Sequence, residues 1–204
     1  MTLPPWVPGD EHDWKPAPEP LLLVQAFVNT MDLELGTDLL AEAETGNEWL
    51  RLSGLLPPGA TAGPEDLRAA RDVRDGIRAL IAHNGAGPEP ADEELAVLRA
   101  LMRSSRPQLT IGRAGLIQIE SGPEGRIADG LVRLLVIIRD AQRDGTWPRL
   151  KACGNAECGW AFYDRSHSRR GAWCDMAACG NLIKNRNLRA RRSGRAGPAP
   201  TTTR

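Results

Sequence analysis

Residues 153–181 read CGNAECGWAFYDRSHSRRGAWCDMAACGN and hold all four cysteines of a 204-residue chain. The spacing is C-x4-C-x15-C-x4-C, through Cys153, Cys158, Cys174 and Cys179. Two such pairs, separated by a hairpin-sized stretch, can close a tetrahedral thiolate site around one zinc ion. About 45 residues bury too little apolar surface to hold a fold unaided, so a module of this size needs a staple. A structural zinc supplies an apparent ~10–16 kcal/mol. Zinc is the reading the spacing supports best, ahead of disulfides or an iron–sulfur cluster. Four thiolates leave no open coordination position, which argues against a catalytic zinc. His167, in the loop between the pairs, is a rival ligand whose simpler role is a surface residue. Within the stretch, WAFYD and RSHSRRGAWC suggest strand, loop and strand between the two pairs. The sequence MAACGNLIKNRNLRARR after Cys174 has helical composition and places Cys179 in a first helical turn.

Charge divides the chain. Residues 149–195 carry eleven Lys and Arg against three acidic side chains, whereas residues 1–148 carry 14 basic and 23 acidic ones. The formal net charge of zero conceals this split. A basic C-terminal unit faces a polyanion, lies solvated without a partner, or neutralises the acidic unit of its own chain. The apolar content of 41% suffices for a core in the larger unit. No apolar run approaches the ~18–20 residues that cross a bilayer, so no membrane partner is expected. The start, MTLPPWVPGDEHDWKPAPEP, is acidic and proline-rich, unlike a secretion signal. A reducing, cytoplasmic location follows as an expectation, and it again favours metal over disulfide.

Along residues 1–147, hydrophobic periodicity predicts mostly helix. A proline-rich arm (1–20) precedes LLLVQAFVNTMD, a short buried element more helical than extended. GTDLLAEAETGNEWLRLSGLLPPG suggests two short helices, capped by Asp38 and by Asn47. PEDLRAARDVRDGIRALIAHNG places Leu67, Ala70, Val73, Ile77, Leu80 and Ile81 on one face. ADEELAVLRALMRS continues in that style. QLTI and GLIQIE then flank Gly112–Gly115 as a β-hairpin near 107–120. PEGRIADGLVRLLVIIRDAQRDG supplies a core helix ended by Gly145. The expected fold is mainly α with a small β-hairpin (α+β) over residues 21–147. A treble-clef-like zinc finger (148–195) ending in a basic helix follows, and then a disordered tail (196–204).

The stretches CGNAECGWAFYDRS and RRGAWCDMAACGN, with the basic helix that follows, resemble the bacterial CGNR zinc-finger proteins. These join such a finger to an N-terminal ABATE domain, and the likeness extends through AFVNTMD and EWLRLSGLLP to cover roughly residues 20–195. The resemblance implies a DNA-binding, stress-linked transcriptional regulator. The family signature reads Cys-Gly-Asn-Arg, whereas this chain has Leu182 after Cys179–Gly180–Asn181. Any contact made by that arginine is lost here or supplied by Lys184 or Arg186.

On a helix running from Cys179, Leu182, Ile183 and Ala190 can pack on the finger. Lys184, Arg191 and Arg195 gather within about 40° of one another, with Arg192 beside them. Duplex DNA is the partner this stripe fits, through Arg169, Arg170, Lys184, Arg186, Arg189, Arg191 and Arg192 on phosphates. Asn181 lies near enough to read bases. RNA is an alternative, with Trp160, Phe162 and Tyr163 stacking on unpaired bases. A protein–protein adaptor with a purely structural zinc knuckle is another. No GxSxG, HExxH, GxGxxG or Walker pattern occurs, so an enzyme is not expected. Asn29 and Asp32 form one polar cluster in an apolar run, serving either as buried structural groups or as the lining of a small-molecule effector pocket. A lone finger gives little sequence specificity, which makes a homodimer a natural expectation.

Overall fold

The computed structural model describes residues 4–8, 15–85, 87–105, 108–120 and 126–193. The tail expected at 196–204 and Arg195 lie outside the described residues. The first helix, α1 (Leu21–Val28), is buried on every side, Gln25 included. A sequence apolar all round, LLLVQAFV, gives a helix with no solvent face. A two-residue ribbon follows, β1 (Met31–Asp32) paired antiparallel with β2 (Thr37–Asp38). Strands this short leave no period-2 signal, and the sequence did not predict them.

Residues 36–59 form one helix where two were expected. That helix is α2 (Ala43–Leu52). Asp38 starts no helix; its carboxylate accepts from the Leu40 amide at 2.9 Å and pairs with Arg74 at 2.6 Å. Asn47 lies inside α2, where its side chain bonds both the carbonyl and the amide of Ala62, at 3.0 and 2.7 Å. Both polar residues look like caps in sequence, but partners distant in the chain claim them.

α3 (Pro64–Asn84) and α4 (Asp92–Ser104) match their periodic stretches. Each begins with a carboxylate folded back onto the amide before it, Asp66 to Gly63 and Glu94 to Ala91. β3 (Gln108–Ile111) and β4 (Ile117–Glu120) form the expected hairpin. α5 (Ile127–Asp144) is the long core helix, closed by Gly145 in the left-handed region at φ 78°. A single turn, Trp147–Arg149, leads into β5 (Leu150–Ala152), which pairs antiparallel with β6 (Ala161–Tyr163). A π-helical turn (Met176–Gly180) then precedes α6 (Asn181–Ser193).

The main core surrounds Phe27, Leu40, Leu50, Leu55, Ile77, Ile81, Leu131 and Leu134, and it continues into Leu150, Ala161 and Tyr163 of the β5–β6 hairpin. A second, smaller cluster joins the four cysteines to Phe162, Trp160 and Trp173. Strand alternation explains the division: Ala161 and Tyr163 face the helical body, and Phe162 between them faces the sulfurs. β6 is therefore shared by both hydrophobic clusters. No helix among the described residues is long and apolar enough to cross a membrane.

α5 crosses the loop after α2 at Gly130, where an added Cβ would collide with the backbone oxygen of Leu55. A backbone oxygen cannot rotate aside as a side chain can. Gly130→Ala is therefore expected to destabilise the chain by about 2–3 kcal/mol, seen as a lower urea midpoint at unchanged slope.

Candidate functional site

The four sulfurs lie within 4.8 Å of one another, and all four cysteines are buried. Cys158 Sγ is 3.7 Å from Cys174 Sγ, which is 3.8 Å from Cys179 Sγ. A tetrahedron with Zn–S bonds of about 2.3 Å sets its sulfurs about 3.8 Å apart. A disulfide requires about 2.05 Å, so the thiols are spaced for a cation and not for each other. Crowding also governs their protons. Hydrogen bonds from Cys158, and then from Cys174, push the Cys153 thiol far down. Donation to Cys153 pushes Cys158 up, and Cys174 is pushed up by the same two neighbours. Such a set carries several thiolates at once only when a cation compensates them. The four cysteines thus fit a single structural zinc.

Local structure aims each ligand. Cys153 follows β5, and its amide bonds the Trp160 carbonyl at 2.8 Å. The carbonyl of Asn155 accepts from the amides of Cys158 and Gly159, which closes the first knuckle. The buried Asn155 side chain also donates to Cys179 Sγ at 3.7 Å, an interaction that favours the thiolate. Cys174 and Cys179 flank Asp175, whose carboxylate caps the π-helical turn by accepting from Ala177 at 2.6 Å. Cys179 therefore belongs to that turn, and α6 begins at Asn181, after the cysteine that the sequence places in its first turn. Gly154 and Gly180 follow the first and last cysteines, and both press on Trp173. A Cβ on either would meet that ring at 3.0 or 3.1 Å. The repeated Cys-Gly-Asn thus has a steric reason: Trp173 lies between two glycines.

The segment between the two pairs holds one strand, β6, instead of the expected two. The hairpin is β5–β6, wrapped around the first knuckle. Residues 164–173 are tied by a buried ion pair in place of a ladder. Asp164 accepts from Lys151 at 2.9 Å and from the amides of Ser166 and Gly171 at 3.0 and 2.7 Å. The Lys151 ammonium also reaches the carbonyls of Arg169 and Gly171. Burial pushes the Asp164 carboxyl up, but Lys151 and those amides outweigh it and hold it well below the usual carboxylate range. The pair's stabilisation is therefore full above an unfolded value near ~4 and is lost only as pH falls through the lower folded one. Lys151, one of the eleven basic residues of 149–195, is a buried structural group. Arg149 likewise turns inward, to the carbonyls of Asp164 and Ser166.

What remains outward is narrower than the full basic count. Arg169, held at φ 54°, and Arg170 are exposed on the loop. Asn181, Lys184, Arg186 and Arg189 are exposed on α6. Arg191 and Arg192 continue that helix, although their side chains, like that of Ala190, lie outside the described residues. Lys184 Nζ rests on Met176 Sδ at 3.6 Å, and Arg186 pairs with Glu157 at 3.2 Å. Ile183 is half-buried as expected. Leu182 is not packed on the finger as expected, being 52% exposed. Phe162 and Tyr163 are buried and offer no face to an unpaired base.

Asn29 and Asp32 separate in the structure. Asp32 holds a turn by accepting from the amides of Glu34 and Leu35. Asn29 reaches the finger: its amide donates to the Ala161 carbonyl at 3.0 Å and accepts from the Ala161 amide at 2.8 Å. Gln25, one turn earlier, bonds the same carbonyl at 3.1 Å. It also bonds the Lys15 carbonyl and the Ala17 amide of the arm. The backbone amide of Tyr163 completes the join by donating to the Lys15 carbonyl at 2.9 Å. Gln25 carried only a weak signal in sequence, as a polar residue inside LLLVQAFV.

Two family models match the chain. ABATE, described as "Putative stress-induced transcription regulator", matches residues 21–143, and the CGNR zinc finger matches residues 149–192. No curated protein matches it.

Because β6 completes the main core, zinc chelation is expected to lower the melting temperature of the whole chain in a single transition, followed by helical circular dichroism. Asn29→Ala strips two bonds from buried Ala161 and should cost about 2–4 kcal/mol in urea denaturation. Asp164→Ala leaves a buried lysine unpaired and should cost about 3–5 kcal/mol by the same measurement.

Proposed function

The chain belongs to the ABATE family and carries a CGNR zinc finger at its C-terminal end, and on that premise we propose that it is a DNA-binding transcriptional regulator and not an enzyme. The observation that carries the reading is α6, a basic helix leaving a zinc-ordered finger with Asn181, Lys184, Arg186 and Arg189 all exposed. Its packing is chiefly on the turn that precedes it. Thirteen residues make a helix about 20 Å long and roughly 10–12 Å across, a cross-section that a major groove about 12 Å wide accepts. Arg169 and Arg170 approach the backbone from the loop. The Arg186–Glu157 pair is exposed on both sides, so it is worth little and yields to a phosphate.

Zinc in this reading takes no chemical part; it fixes the knuckles and the π-helical turn from which α6 starts. Modulation comes from the helical body through β6. A cleft of about 380 Å³ lined by Met31, Leu33, Arg74, Arg78 and Glu94, among others, suits a small effector. It adjoins the finger, since Leu33 and Arg78 lie next to Gly159 of the first knuckle.

Fluorescence anisotropy of the zinc-loaded protein on a random duplex pool tests the proposal. Neutralising about five phosphates predicts a ~500-fold loss of affinity between ~50 and ~200 mM salt. Lys184→Ala and Arg189→Ala should each flatten the log–log salt slope by ~0.9, whereas Leu182→Arg should steepen it by the same amount. A flat salt response at measurable affinity, or no binding at low salt, sinks the DNA reading in favour of the adaptor.

A further inference from the structure

The β3–β4 hairpin wears its apolar residues outward. Leu109, Ile111 and Ile117 are 73%, 77% and 72% exposed, and Leu116 at the turn is 64% exposed. Thr110, between the first two, is half-buried. The register pairs Leu109 with Ile119 and Ile111 with Ile117, placing these four positions on one face. A hairpin beside water normally shows the reverse order, polar outward and apolar inward. Two strands alone are marginal in water and need a covered apolar face. Among the described residues the body does not cover this one: β4 meets α5, yet Leu109, Ile111, Leu116 and Ile117 stay in solvent. Gln108–Ile111, the other strand, lacks the lysine, proline or inward charge by which natural sheets blunt an edge.

We propose that this face is a two-fold interface with a second copy of the chain. The occupant follows from self-complementarity. About a two-fold axis, an apolar ribbon covers the same ribbon of its partner, so one set of residues serves both sides and the assembly closes at two. Area agrees with this. At roughly 100 Å² for each buried aliphatic side chain, Leu109, Ile111, Leu116 and Ile117 bring about 800 Å² over two protomers. Backbone and flanking atoms carry that to the ~1,000 Å² a specific interface needs. The inference rests on the hairpin alone and holds whatever the finger binds. If the finger binds DNA, the dimer presents two basic helices and supplies the specificity that one lacks.

The test is sedimentation velocity on the full zinc-loaded chain, without nucleic acid, from nanomolar to tens of micromolar. The wild type is expected to move from monomer to dimer and no further. The doubly substituted proteins Ile111→Lys/Ile117→Lys and Ile111→Glu/Ile117→Glu change only exposed positions. Each should stay monomeric with native circular dichroism and one bound zinc, and an equal mixture of the two should recover the dimer. A wild type that is monomeric throughout overturns the proposal. So do charged variants that still dimerise, or a mixture that fails to recover.

Discussion

Ala161 is held by two amide side chains of a helix more than 130 residues earlier in the chain. Asn29 offers β6 one donor and one acceptor, as a neighbouring strand would, and Gln25 adds a second donor. Buried backbone groups left unpaired are expensive, so β6 has one favourable position on α1. Its alternation then puts Ala161 and Tyr163 into the helical core and Phe162 against the cysteines. The finger is in this sense a continuation of the helical body, stapled by metal at its far side. The matches at 21–143 and 149–192 describe two sequence units, whereas packing describes one structure with two hydrophobic clusters.

Electrostatics divides the finger's cations by role. Lys151 and Arg149 hold the loop from within, and Asp164 is the anion on which that loop converges. Arg165 is turned to the Pro16 carbonyl of the arm, and Lys15 lies over the Phe162 ring at 5.1 Å. Arg169 and Arg170 on the loop, and Lys184, Arg186 and Arg189 on α6, are exposed. A count of charges along the sequence overstates the outward basic surface, because a cation that organises carbonyls is spent locally. Presentation of the rest depends on the inward group: Lys151 grips the Arg169 carbonyl and so sets the loop that displays two arginines.

Sequence made the metal centre legible because cysteines are rare here and their spacing reports ligand geometry directly. The long helices were equally readable, since α3 and α5 repeat an apolar face over five turns or more. Features resting on contacts between distant residues were not readable. Asn47 looks like a cap until Ala62 is beside it, and Lys151 looks like a surface charge until Asp164 buries it. Asn29 stood out as polar in an apolar run, but its partner is a backbone group, which no side-chain pattern announces. The second strand expected between the cysteine pairs fails because RSHSRRGA is short, polar and poor in β-branched residues. Asp164 organises that segment more readily than a ladder would.

The docking of β6 also bears on how the protein is made. Synthesis releases α1 early and Ala161 late, so Gln25 and Asn29 emerge long before the groups they bind. Domains usually fold as they leave the ribosome, N-terminal part first. Here the helical body cannot close on its own, because Leu150, Ala161 and Tyr163 belong to its core. A later segment thus completes the core of an earlier one. Metal binding by the four cysteines is therefore expected to bear on the folding of the entire chain, and removal of the residues from 150 onward would take Leu150, Ala161 and Tyr163 out of the main core.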